Sequence, residues 1–123
     1  MMSPLSAAVL LETFDDWVPL AAIDGLARQR VGEVIADRRE AMLGAISELV
    51  ALRYVDVGVV LENEGFVARE SSGVTVLDEI AEILSQDEPD LWWFERWLCI
   101  TPLGETYLRE GSGTSGKTGW WTR

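Results

Sequence analysis

An α+β fold is expected for this chain, and three observations predict it. Residues 37–60, DRREAMLGAISELVALRYVDVGVV, change period part-way. Met42, Leu43, Ile46, Leu49 and Val50 recur at helical spacing, whereas Tyr54, Val55, Val57, Val59 and Val60 are the β-branched and aromatic residues of a strand. Ser3–Pro4 and Thr101–Pro102 each have the form of a helix start, with a hydroxyl cap followed by a proline whose missing N–H costs nothing there. Between two strand-like runs lies Leu61-Glu62-Asn63-Glu64-Gly65, where Gly65 can take the positive φ of a hairpin turn.

Taken in order, the first helix is predicted from Pro4 to Phe14, burying Leu5, Val9, Leu10 and Phe14. Asp15 and Asp16 break it, and Trp17–Val18 forms a short apolar strand. Pro19 opens a second helix to about Gln29, with Leu20, Ile23, Leu26 and Ala27 inward. Residues 31–36 form a connector that looks long for a tight helix–turn–helix. The third helix starts on Asp37 as N-cap, with Glu40 three residues on as in a capping box. A hairpin of Tyr54–Leu61 and Phe66–Arg69 follows. Thr75 caps a further helix with Asp78 and Glu79 in its first turn and Leu77, Ile80, Ile83 and Leu84 inward. Residues 86–90, QDEPD, make an acidic loop, and Leu91–Thr101, LWWFERWLCIT, reads as the last strand. A final helix carries Leu103, Tyr107 and Leu108. The domain is drawn as 1–110, with 111–123 a Gly/Ser/Thr-rich tail ending in Trp120–Trp121.

The 123 residues suffice for one core, and 48% hydrophobic content with six Trp excludes a disordered chain. No apolar run reaches the roughly 18 residues of a membrane span. MMSPLSAAVLLETF lacks the basic start of a signal peptide, and Cys99 as sole cysteine cannot form an intrachain disulfide. Both fit a cytoplasmic setting. Charge excludes more. The net value is −11, and residues 1–110 carry all 21 acids against eight arginines, a balance of −13. Such a domain is repelled by duplex DNA at long range unless its cations gather on one face.

Three stretches together carry a resemblance: the helix-to-strand run ELVALRYVDVG, the hairpin arm GFVARE and the closing WLCITPLGETYL. The last is similar to the Leu-Thr-Pro-x-Gly element with which many winged helix-turn-helix proteins end the wing and begin a final helix. Over residues 5–110 the chain resembles small, uncharacterised winged helix-turn-helix proteins of actinobacteria and their phages. The resemblance implies three N-terminal helices, a β-hairpin wing, an extra helix before the last strand and a C-terminal helix. It implies binding of DNA or of protein, and does not choose between them.

The residue types weigh on that choice. Off the apolar stripe, the third helix offers Glu40, Gly44, Ser47, Glu48 and Ala51, with no cation to meet bases or phosphates. The wing tip, Glu62-Asn63-Glu64, is acidic as well. Only Arg28, Arg30, Arg38 and Arg39 could form a nucleic-acid patch, and pairing with Glu33, Asp37 and Glu40 is the simpler reading. Trp92, Trp93, Trp120 and Trp121 are the candidate protein-interaction anchors, the alternative being burial in a core. Residues 111–118, GSGTSGKT, match the P-loop string, but a helix precedes them and five residues follow, so the strand–loop–helix context is missing. There is no histidine to act as general base or ligand, and Cys99 has no obvious activating partner. Asp87, Glu88 and Asp90 lack calcium-loop spacing. The expectation is a non-enzymatic, cofactor-free interaction module that meets another protein or a second copy of itself. The alternative is a DNA-binding transcriptional regulator using the third helix and wing.

Overall fold

The computed structural model describes residues 2–69, 73–86 and 92–114. The fold is α+β. Its elements are α1 (Pro4–Asp15), β1 (Val18–Pro19), α2 (Leu20–Val31), α3 (Ile35–Ala51), β2 (Val55–Leu61), β3 (Gly65–Ala68), α4 (Gly73–Leu84), β4 (Trp97–Ile100) and α5 (Pro102–Thr114). The strands form one antiparallel sheet in the order β1-β4-β2-β3. Val18, Leu98 and Val57 make one row of that sheet, and all three are buried in the core.

Both hydroxyl–proline starts form as expected. Ser3 Oγ accepts the Ser6 amide at 3.1 Å, and Thr101 Oγ1 accepts the Gly104 amide at 3.0 Å. The second start explains the Thr-Pro-x-Gly element physically. Thr101 N donates to the Tyr54 carbonyl at 2.9 Å, and its hydroxyl donates to the Arg53 carbonyl at 2.7 Å. A Cβ at Gly104 would lie 2.4 Å from that same Tyr54 oxygen, so only glycine lets α5 seat so closely on the end of α3. Tyr54 and Tyr107 then stack at 4.8 Å between ring centroids. The hairpin turn is also as expected, with Gly65 at φ +74°.

Other expectations need correction. The connector between α2 and α3 is residues 32–34 only, because α2 runs on to Val31 and α3 begins at Ile35. Asp37 is not a cap: Val34 holds that position without a side-chain bond, and Asp37 sits in the first turn. Thr75 lies inside α4, which begins at Gly73. The last strand is only Trp97–Ile100, preceded by a turn at 92–95. That segment is tied to the start of α2 instead, where Ala21 N donates to the Trp93 carbonyl and Leu20 N to the Arg96 carbonyl. Strand alternation therefore does not apply to Trp92, whose indole enters the core. The final helix, α5, takes in Gly111–Thr114 of the Gly/Ser/Thr-rich segment. Residues 87–91 and 115–123, with Trp120 and Trp121, lie outside the described residues.

The core joins Val9 and Leu10 of α1, Leu20 and Ile23 of α2, Met42, Ile46 and Leu49 of α3, and Ile80 and Leu84 of α4. At about 1.5–3 kcal/mol for each large side chain removed from water, this cluster dominates the favourable side of folding. α3 is the centre of the assembly, packing against α1, α2, α4 and β2.

Candidate interaction surface

The sides of α3 that face its neighbours are committed to the fold. Toward α2, Arg38 is buried and forms a two-pronged pair with Asp24, Nε to Oδ1 at 2.8 Å and Nη2 to Oδ2 at 3.2 Å. Its Nη1 donates to the Glu33 carbonyl at 2.8 Å. Toward α1, the Glu48 carboxylate accepts the Ser6 hydroxyl at 2.5 Å and the Ser3 amide at 3.1 Å. The Ser6 hydroxyl first, then the Ser3 amide, hold the Glu48 carboxyl below its ordinary range. Toward α4, Arg39 donates to the Gln86 carbonyl. The C-terminus closes in a Schellman motif: Tyr54 N bonds the Leu49 carbonyl and Arg53 N the Val50 carbonyl. Arg53, not glycine, takes the left-handed position at φ +63°.

What remains outward is a strip of Ala36, Asp37, Glu40, Gly44 and Ala51, with Ser47 half-buried among them. An open groove of about 730 Å³ runs between this strip and the start of α1, lined by Leu5, Ala41, Gly44, Glu48 and Ala51 with Arg30 among its walls. On the other flank, a groove of about 400 Å³ lies between α3 and α4, lined by Ala36, Arg39, Glu40, Leu43 and Ala81. Gly44 belongs to the first groove, and a Cβ there would meet nothing within 4 Å. A helix-interior glycine costs about 0.5–1 kcal/mol relative to alanine, and no neighbour inside the described structure requires this one.

Of the four arginines that are the candidates for a nucleic-acid patch, Arg28 and Arg38 meet at Asp24, where their charge is paired. Arg38 is buried on Asp24, which corrects its reading as a surface contact. Arg28 is paired with Asp24 and Glu33, both at 3.5 Å. Arg39 is half-buried and turned to Gln86. Arg30 is exposed, with one long bond to the Leu26 carbonyl and no ion pair among the described residues. The hairpin tip, Glu62-Asn63-Glu64, is exposed. A second group of cations is one the sequence did not single out. Arg69 and Arg96 share Glu79 at 2.9 and 3.3 Å, and Arg53 lines a pocket with Arg69. Arg69, then Arg96, hold the Glu79 carboxyl low against the opposing effect of burial. These arginines are separated by up to 43 positions in sequence, so no local signal could have grouped them.

The aromatic candidates change as well. Trp92 is 1% exposed and Trp93 half-buried against the core, so neither stands out as a surface anchor. Phe94, at 61%, Tyr107, at 43%, and Trp17, at 40%, are the exposed rings among the described residues, each against another aromatic: Phe94 on Trp97 at 6.0 Å, Tyr107 on Tyr54 at 4.8 Å and Trp17 on Phe66 at 6.3 Å. Cys99 is half-buried, and burial first, then Asp56 and Glu105, push its thiol up, away from the reactive thiolate. Of the P-loop string, Gly111–Thr114 belong to α5 rather than to a loop after a strand. Among the described residues no cluster of three potential metal-ligating side chains occurs, and no helix is long and apolar enough to cross a membrane. Comparison with protein-family models, with curated proteins and with solved structures returned no significant match to this chain.

Proposed function

We propose that this chain is a winged helix-turn-helix domain that works without catalysis, by binding another protein through the outward side of α3. Support for the architecture comes from the order of its parts: a helix, a small first strand, two more helices, a hairpin, an inserted helix, a closing strand and a final helix. The resemblance noted in the sequence points the same way. The observation that carries the functional reading is the chemistry of α3. Its outward strip is Ala36, Asp37, Glu40, Gly44 and Ala51 with half-buried Ser47 among them, and its one deeply placed cation, Arg38, is spent on Asp24. A recognition helix needs donors for base edges and cations for phosphates, and this strip offers no cation and a single hydroxyl donor, Ser47. The lack of histidine and the unreactive setting of Cys99 support a non-enzymatic role.

One observation favours the rival, a DNA-binding transcriptional regulator: the three-residue link between α2 and α3 is as tight as the turn of a DNA-reading helix–turn–helix. Fluorescence anisotropy with labelled duplex fragments at low ionic strength separates the two. The protein-binding reading expects no saturable binding. Tight binding that weakens in Arg30→Ala and Arg39→Ala variants of unchanged stability would establish the rival.

A further inference from the structure

We infer that the groove between α1 and α3 receives an amphipathic helix with a narrow apolar stripe flanked by lysine or arginine. The inference rests on the protein-binding role proposed above and names the partner's chemistry. The floor and walls are helical, so they present no strand edge from which a sheet could be extended. Recognition must come from side chains fitted into the concavity, the helix-in-groove mode. Leu5 and Ala45 lie at the buried base of the groove, while Gly44 and Ala51 keep its wall low, so that a helix backbone can approach closely. From Ala41 to Ala51 the wall runs about three helical turns, the length of a short docking helix.

Charge selects the occupant. Asp37 and Glu40 stand on the outward strip and Glu48 lines the groove, against Arg30 as the cation lining it among the described residues. The whole chain is −11. A second copy would bring an equal negative charge to the contact, whereas a basic helix is attracted at long range and matched at the rim.

The test uses the full chain and a synthetic peptide of about three turns, with Ala and Leu at i, i+3/i+4 and i+7 and Lys or Arg beside them. A scrambled peptide of the same composition is the control. Isothermal titration should show saturable binding of the patterned peptide, with amide shifts at Gly44 and Ala51 in NMR spectra. Gly44→Leu adds bulk to the groove from a position where a Cβ meets nothing within 4 Å, and should weaken that binding by roughly tenfold or more while the thermal midpoint does not fall. Equal binding of both peptides, unchanged in Gly44→Leu, would overturn the groove assignment, as would no binding at all. Self-association of the free chain abolished by Gly44→Leu would replace the basic helix with a second copy. A chain that ignores both the peptide and duplex DNA loses this groove only; one that binds DNA loses the protein-binding reading itself.

Discussion

The two sides of α3 put similar residue types to opposite uses. On the inward side, Arg38 is buried and bonded through three nitrogens, and further along the helix Met42, Ile46 and Leu49 are at zero exposure. On the outward side, Asp37 and Glu40 are exposed, and a Cβ at Gly44 would meet nothing within 4 Å. One turn of helix separates a charge that the fold cannot lose from charges the fold does not use. Counting charges along a sequence therefore misjudges a binding face: a guanidinium belongs to the surface only if no carboxylate beneath it has claimed it first.

The largest effect that would sharpen this contrast is at Arg38. Arg38→Ala leaves Asp24 buried without its main partner and is expected to cost about 3–5 kcal/mol in urea unfolding. The paired change Asp24→Leu with Arg38→Met should recover most of that loss. A loss within about 0.5 kcal/mol, the range of a surface substitution, would show that Arg38 is free.

Next comes the C-terminal end of the same helix. Arg53→Gly removes a left-handed arginine from the Schellman position and should stabilise the domain by about 1 kcal/mol, read as a raised thermal midpoint. Gly44→Ala should add about 0.5–1 kcal/mol, because it gains helix propensity and meets nothing. Destabilisation there would mean that the outward strip is packed after all.

The smallest effect is at the border between the two sides. The folded Glu48 carboxyl lies below its ordinary value, so its contribution is complete above the unfolded pKa of about 4.3 and is lost as pH falls through the folded value. Glu48→Gln should therefore be slightly less stable than the parent at neutral pH, with the gap closing as the medium is acidified through the carboxylate range. A gap that widens in acid would contradict the Ser6 and Ser3 bonds.

Much of this was legible in the residues. The Thr101–Pro102 start, the Gly65 turn and the stripe Met42, Ile46, Leu49 all rest on local chemistry, and all appear where the sequence put them. The failures share one cause. The stretch Trp92–Arg96 has the composition of a strand, but contacts with α2, some 70 positions earlier, bend it into a turn. Asp24 is a single acid on an otherwise unremarkable helix, and nothing near it in sequence says that it will capture Arg38. The α1–α3 groove was half visible: the off-stripe residues of α3 could be read, but not that Leu5 of α1 would meet them at its base. Tertiary pairing, not local preference, decided each of these.

The account stands on the sign of the outward strip, and reversing that sign tests it most directly. Duplex DNA binding of the parent and of the double variant Asp37→Lys, Glu40→Lys should be followed across a salt series, since each phosphate neutralised steepens the salt dependence. The expected result is a parent with no measurable affinity and a variant that gains binding which salt abolishes. A parent that binds as tightly as the variant, with the same salt slope, would contradict it.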